Sequence, residues 1–305
     1  MIIDYGLKKD KRKKLFMTLD VETGNGHADT INLDNQFFTR IVHHASDQPD
    51  QPLVYDLGFA INDKQGNIYY KASFIVEEIF YNEEIMNSAY YSDKVSKYKQ
   101  DIQNGTRTVA KWGEIKKELL RVLQEYNVTN LAAYNMTFDR NALNWTNLQL
   151  TGKKWYFPHA IGSKLTFHCI WFLACQTIFL QKTFPKWAIE NGMFSSSGNF
   201  RTNAEVAYNW IHKTNGFEEE HTGLEDVLIE VEIMAHCLRQ NKKLAKYKIN
   251  RQCWRLPSTY HDDIRKEKGI KKLTKKEVKG MSTLQLYDYN GKRRLLGLET
   301  VAIPS

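Results

Sequence analysis

The strand-like segments of this sequence come before most of its helix-like segments, and this order constrains the fold more than any other feature. Leu15–Val21 alternates apolar and polar residues, and Leu53–Ile61 and Ile68–Val76 are strand-like segments joined by a polar turn. The last two predict a β-hairpin. Further along, short strands such as Asn130–Tyr134 alternate with amphipathic helices such as Gly223–Arg239. We therefore expect an α/β domain with a central mixed β-sheet flanked by helices.

The composition excludes several classes of protein. With 42% hydrophobic and 12% aromatic residues, the chain is too apolar to be disordered. Its four cysteines show no CxxC spacing, so they predict buried thiols in a reducing cytoplasm and neither a disulfide framework nor a zinc ribbon. The longest uncharged stretch, Leu165–Gln181, is too short to span a membrane and is interpreted as a buried helix. We expect a cytoplasmic protein with no membrane partner.

The net charge of +8 is unevenly distributed. Residues 240–305 hold 17 Lys/Arg and 6 Asp/Glu, a balance of +11, whereas residues 1–239 have a balance of −3. This contrast predicts a domain over residues 1–239 followed by a basic C-terminal extension over residues 240–305. Such a segment indicates a polyanionic partner, most often nucleic acid, although a solvated lysine-rich appendage is an alternative.

Two local patterns predict structure inside the extension. The pairs Lys271-Lys272 and Lys275-Lys276 lie four residues apart and would form one cationic stripe if they shared a helix. The turn signal Tyr289-Asn290-Gly291-Lys292 between apolar flanks predicts a small hairpin over Leu284–Leu298.

Three acidic motifs carry the chemistry that the sequence suggests. Asp20 and Glu22 end the first strand and share one of its faces, where two carboxylates repel each other unless a cation lies between them. Oxygen ligands of this kind suit Mg²⁺ or Mn²⁺. Asp139 falls in the first turn of a helix that follows a strand. His221 precedes, and Asp226 lies one turn into, a helix that we expect to begin at the capping residue Thr222.

Each motif by itself also has a purely structural interpretation. These are a polar strand end, an ordinary aspartate near a helix start, and a helix cap with a surface histidine. The order of the three motifs is more informative, because the chain contains a single Asp-x-Glu and a single His-x4-Asp.

In that order the motifs resemble the DEDDh family of 3′→5′ exonucleases, which includes proofreading exonuclease subunits of bacterial DNA polymerases and many phage-encoded members. The resemblance covers about Leu15–Arg239. Two further stretches resemble phage-type members, namely Val54–Gly58, and Asn203–Val206 with Phe217–His221. The resemblance implies a ribonuclease H-like three-layer fold and, for a phage-encoded chain, the cytoplasm of the host cell.

The resemblance also implies roles for the motif residues. Asp20 would bridge two divalent ions, Mg²⁺ or Mn²⁺, Glu22 and Asp226 would complete the tighter one, and Asp139 would hold the second. His221 would be the general base, and its ordinary pKa of about 6.5 suits that role. Thr23 and Asn135 are implied to receive the terminal nucleotide.

The segment Gly24–Pro52 departs from compact family members. It is polar and aperiodic, and we interpret it as a long loop or hairpin insertion near the substrate cleft. Its Phe37, Phe38, Arg40, His43 and His44 could contact bases or phosphates, or the segment could be a solvated hairpin. No convincing partners for His43 and His44 are found in the sequence, so we do not predict a zinc site.

These observations lead to the hypothesis of a metal-dependent 3′→5′ exonuclease that releases nucleoside 5′-monophosphates. DNA with single-stranded or frayed 3′ ends is favoured as the substrate. The alternatives are an exonuclease of RNA or short oligoribonucleotides, a non-catalytic nucleic-acid-binding module on the same fold, and a structural phage protein. No polymerase or helicase motif is present, so a replication or recombination partner would be a separate protein.

Overall fold

The computed structural model describes residues 2–5, 14–33, 36–44, 49–240 and 252–302, without the side chains of residues 30–40. Within these ranges, eight strands form a single mixed sheet. The strands are β1 (Ile2–Asp4), β2 (Leu15–Leu33), β3 (Gln36–Val42), β4 (Gln51–Asp63), β5 (Ile68–Val76), β6 (Thr108–Ala110), β7 (Asn130–Ala133) and β8 (Thr166–Cys169). The predicted α/β class is confirmed, and the arrangement is consistent with a ribonuclease H-like three-layer fold.

The strand order is β1-β5-β4-β2-β7-β8, with β6 on β5 and β3 on the far half of β2. Strands β4 and β5 form the predicted antiparallel hairpin, whereas β7 and β8 run parallel to β2. The insertion over residues 24–52 is a hairpin, because β2 continues to Leu33 and the chain returns as β3. Strand β2 is therefore central to the sheet at its start and part of the hairpin at its end.

Fourteen α-helices and two short 3₁₀ helices complete the described ranges. The α-helices are α1 (Glu77–Phe80), α2 (Glu83–Asn87), α3 (Val95–Gln103), α4 (Trp112–Glu125), α5 (Met136–Thr151), α6 (His159–Gly162), α7 (Ile170–Cys175), α8 (Phe184–Glu190), α9 (Ala204–His212), α10 (Gly223–Leu238), α11 (Arg255–Tyr260), α12 (Asp262–Glu267), α13 (Lys275–Lys279) and α14 (Thr283–Leu295). The 3₁₀ helices are Ser92–Lys94 and Ile178–Leu180.

Helices α5 and α10 both pack against strands β2 and β4. The amphipathic helix predicted over Gly223–Arg239 is confirmed as α10, whose Val227 and Val231 pack with Ala60 of β4 in a buried cluster. On the side of α5, the hydroxyl of Thr146 accepts a hydrogen bond of 2.8 Å from the Val54 backbone N–H. The two helices that carry sequence motifs are thus fixed to the strand that carries Asp20 and Glu22.

The interpretation of the uncharged stretch Leu165–Gln181 as one buried helix is wrong for its first part. Residues 166–169 form β8, which pairs in parallel with β7, and the helix begins only at Ile170. A short apolar run has no periodicity that separates a buried strand from a buried helix, so the parallel partner decides.

Other predicted elements differ in extent. The sequence also predicts helices over Glu83–Gln103 and Val109–Tyr126 and a strand over Trp155–Phe157. The first helix is broken between α2 and α3, and Val109 and Ala110 at the start of the second belong to strand β6. Trp155–Phe157 is not a strand. The hairpin predicted over Leu284–Leu298 is wrong, because residues 283–295 form the helix α14.

The chain divides into two compact units. The first comprises Met1–Ile170 with Glu219–Ile249, and it contains the whole sheet. The second combines Trp171–Glu218 with Asn250–Ser305, so it differs from an extension that begins at residue 240. Inside the second unit, Arg265 is buried and donates to the carbonyl of Gly198 over 2.8 Å, and Ser258 accepts from the Phe200 N–H over 2.9 Å. These contacts tie the C-terminal residues to the segment before Glu219.

All four cysteines are buried (Cys169, Cys175, Cys237 and Cys253). Across the described ranges, no helix has both the length and the apolar character that crossing a bilayer requires.

Candidate active site

The first strand of the site places two carboxylates side by side. Along β2, Leu19 and Val21 are buried, whereas Asp20 and Glu22 on the opposite face are partly exposed, as the strand alternation predicts. A register shift against β4 follows immediately, between Glu22 and Thr23. Bulges of this kind are common next to active sites, because they re-aim the side chains beside them.

Asp139 reaches this strand from α5. Its carboxylate is 2% exposed and accepts hydrogen bonds from the backbone N–H groups of Val21 and of Asp139 itself. The strand-to-helix junction predicted from the sequence therefore brings the third motif carboxylate against the strand that holds the first two. Asn135 is the N-cap residue of α5, is exposed, and makes no capping hydrogen bond through its side chain.

The fourth carboxylate depends on a close approach of two glycines. A Cβ on Gly58 of β4 would lie 2.3 Å from the carbonyl carbon of Gly223, and a Cβ on Gly223 would lie 2.8 Å from the Gly58 nitrogen. Only glycines at both positions let the start of α10 lie directly against the sheet. This contact brings Asp226, which is 8% exposed, to the edge of β2.

Helix α10 begins at the predicted position, but its N-cap residue does not form the predicted capping box. Thr222 is the N-cap residue, yet its hydroxyl donates to the Glu225 carboxylate over 2.7 Å and does not cap the helix. The Asp226 carboxylate instead accepts from the backbone N–H of His221. That bond holds the loop histidine next to the helix carboxylate.

Burial raises the pKa of every motif carboxylate, and repulsion by neighbouring carboxylates adds to it at Asp20, Glu22 and Asp226. Desolvation is the main cause, and it raises the pKa of Glu22 to about 9 and those of Asp139 and Asp226 to about 7. The pKa of Asp20 is raised first by burial and then by the negative charges of four neighbouring carboxylates. Carboxylates at this density need positive charge to ionise together.

Glu230 is a fifth carboxylate in the cluster, and sequence reasoning missed it. It is 3% exposed, and one carboxylate oxygen accepts from the Tyr134 N–H over 3.0 Å. After desolvation, the charge of Asp139 contributes most to raising the pKa of Glu230. Its position four residues after Asp226 puts both side chains on one face of α10, and that spacing was the available signal.

His221 lies beside the carboxylates in a strained loop. Its backbone has a φ of +51°, and its ring stacks on Tyr91 with centroids 4.3 Å apart and planes 11° apart. Burial, with the nearby charge of Lys94, lowers the pKa of His221. The histidine is therefore neutral at neutral pH, which is the form that accepts a proton. Tyr91 has no motif in the sequence and was not predicted.

The donor set fits a divalent cation. Glu22, His221 and Asp226 each offer one ligand atom, and these atoms all lie within 4.8 Å of one another. Asp226 Oδ1 and Glu230 Oε2 are buried without a hydrogen-bond partner. No ion pair within the described ranges joins a motif carboxylate to a lysine or arginine. Oxygen-rich sites of this type suit Mg²⁺ or Mn²⁺.

A buried arginine forms ion pairs with two carboxylates next to the cluster. Arg107 is 4% exposed and contacts Asp56 of β4 and Glu225 of α10 at 3.0 and 2.8 Å. The same Asp56 oxygen accepts from the Gly223 N–H over 2.9 Å and from the Tyr98 hydroxyl over 2.9 Å. This network fixes the start of α10 to the sheet, and its arginine has no sequence motif that would have identified it.

The predicted cationic stripe of the C-terminal segment is wrong. Lys271 lies outside α13 and contacts Asp262 and Glu277, whereas Lys272 contacts Glu299. Lys275 and Lys276 lie in the helix and are exposed. In the second unit, therefore, acidic neighbours compensate part of the positive charge that composition alone assigned to a partner.

Comparison of the chain with protein-family models, with curated proteins and with solved structures finds no match in any of the three.

Proposed function

We propose that this chain is a metal-dependent 3′→5′ exonuclease that hydrolyses DNA, from single-stranded or frayed 3′ ends, to nucleoside 5′-monophosphates. The observation that carries the proposal is the meeting of three separate sequence motifs in one buried cluster of carboxylates beside one histidine. Asp20 and Glu22 come from β2, Asp139 from α5, and His221 and Asp226 from the start of α10.

The four motif carboxylates are the groups that would hold the ions, and the unpartnered Asp226 Oδ1 supports this assignment. When bound, two divalent ions activate a water and stabilise the leaving oxygen at phosphorus. The chain itself supplies the base. His221 accepts the proton of the attacking water, and Tyr91 and the Asp226 carboxylate keep the imidazole and its loop in position.

Aromatic and basic groups beside His221 suit a nucleic-acid strand. Tyr90 is 87% exposed next to Tyr91, and the Lys94 ammonium lies 5.1 Å from the Tyr91 ring centre. An exposed aromatic face and a cation are the features that hold single-stranded nucleic acid without reading its sequence. The direction of digestion and the preference for DNA come from the family resemblance.

The test is a digestion of end-labelled DNA and RNA, single- and double-stranded, with Mg²⁺ or Mn²⁺ and with product sizing. We expect mononucleotides from a free 3′ hydroxyl, no digestion of a blocked 3′ end, and no cutting of circular single strands. Asp226→Asn should abolish the activity, and Glu84→Gln, an exposed carboxylate on α2, should leave it unchanged.

Other outcomes would assign a different function. Faster digestion of RNA would make the chain an oligoribonucleotide exonuclease, and metal-independent binding without digestion would make it a binding module. Equal activity in wild type and Asp226→Asn would end the proposal.

A further inference from the structure

A second cluster of metal-binding side chains lies at the base of the β2–β3 hairpin. His27 belongs to β2, His43 and His44 directly follow β3, and Asp50 directly precedes β4. The pairing of His27 with Val42 and of Gly26 with Gln51 brings these three segments together. The sequence could not show this convergence, because Asp50 becomes a neighbour of the histidines only through the hairpin.

Asp50 is the centre of this cluster. Its side chain is 8% exposed, and its Oδ1 lies 2.8 Å from Nδ1 of His27 and accepts from the His44 N–H over 3.3 Å. The second oxygen, Oδ2, is buried and has no hydrogen-bond partner. Leaving a buried carboxylate oxygen without a partner costs free energy unless something else fills the position.

Two imidazole nitrogens converge on that same oxygen. Nδ1 of His43 and Nδ1 of His44 lie 2.7 and 2.9 Å from Asp50 Oδ2, but neither contact has the geometry of a hydrogen bond. His44 reaches this position with a backbone φ of +52°, a conformation that is unfavourable for a residue with a Cβ. A carboxylate oxygen and two imidazole nitrogens that converge in this way can share one cation.

The Asp50 carboxylate is also held by His27, whose Nδ1 lies 2.8 Å from Oδ1. His27 orients it through Oδ1, as outer-shell partners orient metal ligands.

We propose that His43, His44 and Asp50 form a binding site for a divalent transition-metal ion of the zinc class, with His27 as a positioning residue. Two imidazoles and one carboxylate suit Zn²⁺ and its neighbours, whereas Mg²⁺ and Ca²⁺ prefer oxygen ligands throughout. The ligand atoms lie within 4.8 Å of one another. A tetrahedral zinc ion with bonds of about 2.0–2.1 Å places its ligands roughly 3.3 Å apart.

The surroundings decide which groups change when the ion binds. His44 is 76% exposed, which leaves the fourth position of the ion open to water. His43 Nδ1 also lies 2.9 Å from the Asn25 carbonyl, so that hydrogen bond is replaced by the bond to the metal. The ion would join the end of β3 to the start of β4, and so would fix the base of the β2–β3 hairpin to β4.

The test is a titration of the full chain with Zn²⁺ as the only transition metal. Saturating Mg²⁺ is present throughout, so that the carboxylate cluster does not compete for Zn²⁺. We expect one Zn²⁺ per chain and a rise in melting temperature with Zn²⁺. His44→Ala and Asp50→Asn should each weaken Zn²⁺ binding by more than about 100-fold, and His27→Gln by about 10- to 100-fold. His159→Ala, an exposed histidine on α6, is the matched control and should bind as the wild type does.

Co²⁺ as a probe identifies the ligands directly. The wild type should give the intense visible absorption of tetrahedral cobalt, and His44→Ala should not. Because His44 is exposed, this variant tests the ligand and not the fold. Equal Zn²⁺ affinity in wild type, His44→Ala and Asp50→Asn would overturn the proposal, as would loss of the site in Asp226→Asn. Digestion of nucleic acid is not a readout here, so failure of the proposed function leaves this result intact.

Discussion

Replacing Arg107 by methionine tests whether one buried cation holds the scaffold of the site together. The side chain is 2% exposed and contacts Asp56, Glu225 and Asp101 at 3.0, 2.8 and 3.1 Å. It also donates to the Ser73 hydroxyl over 2.8 Å. Methionine keeps the apolar stem of arginine and removes only the charge and the donors.

The magnitude follows from the burial of the three partners. Asp101 and Glu225 have side chains that are 24% and 38% exposed, so water can replace the arginine there. The side chain of Asp56 is 0% exposed and cannot be rehydrated. Removing one partner of a buried ion pair typically costs about 3–5 kcal/mol, and we expect Arg107→Met to lie in that range.

Arg121→Met is the matched control. Arg121 also contacts two carboxylates, Glu118 and Glu125, but its side chain is 50% exposed. Exposed ion pairs contribute about 0–1 kcal/mol, so this variant should lose less than about 1 kcal/mol. The assay is equilibrium unfolding of both variants in urea.

If the two arginine variants lose similar free energies of unfolding, burial does not determine how much an ion pair stabilises this protein, and the reasoning is refuted. The double variant Arg107→Met with Asp56→Asn gives a second criterion. It should be less destabilised than the sum of the single variants, because each single variant leaves one member of the pair without its partner and the double variant removes both.

Four further predictions follow. Asp226→Asn should raise the melting temperature of the metal-free protein, because it removes one of several carboxylates that repel one another; an unchanged or lower value would contradict that repulsion. His221→Ala should lower turnover by a factor on the order of 10²–10⁴ while Mg²⁺ binding persists, and loss of Mg²⁺ affinity would make the histidine a ligand. Burial, with the charge of Lys14, lowers the pKa of His168 to about 4, so the unfolded chain binds the proton more tightly. The part of the free energy of unfolding that depends on His168 is complete above a pH of about 6.5 and falls as the pH drops towards 4, by about 2 kcal/mol at pH 5. In urea unfolding at acid pH, His168→Gln should therefore lose less stability than the wild type, and equal losses would contradict this. Replacing the exposed Lys275 and Lys276 by glutamate should reduce the salt dependence of nucleic-acid binding by about 0.7–0.9 in log–log slope per lost phosphate contact, whereas an unchanged slope would assign both lysines to solubility.

Local patterns predicted the parts of the site that local chemistry determines. The alternation of β2 places Asp20 and Glu22 on one face, and Thr222 begins α10. Glu230 was missed because a carboxylate on the buried face of a helix contradicts the pattern that identifies that face. Such contradictions between local rules and the fold are expected at functional sites.

Elements that depend on distant partners could not be predicted. Residues 166–169 became a strand because β7 offers a parallel edge. The turn signal at Asn290-Gly291 was overridden in α14, where the Asn290 side chain bonds both the N–H and the carbonyl of Val301 and Arg293 is fully buried. In both places tertiary contacts determine the structure of a segment whose sequence permits two.

The charges of buried carboxylates in the first unit are balanced in two different ways, and the difference supports the proposed cation. Asp56 is fully buried, and its charge is balanced inside the chain by Arg107. Asp20 is surrounded by four other carboxylates, and the one positive charge that lowers the pKa of Glu22 and Asp226 belongs to Lys94. One lysine cannot neutralise five ionised carboxylates, so the cluster lacks the internal cation that Asp56 has. The proposed divalent ions would let these carboxylates ionise together, since they supply positive charge in the smallest volume.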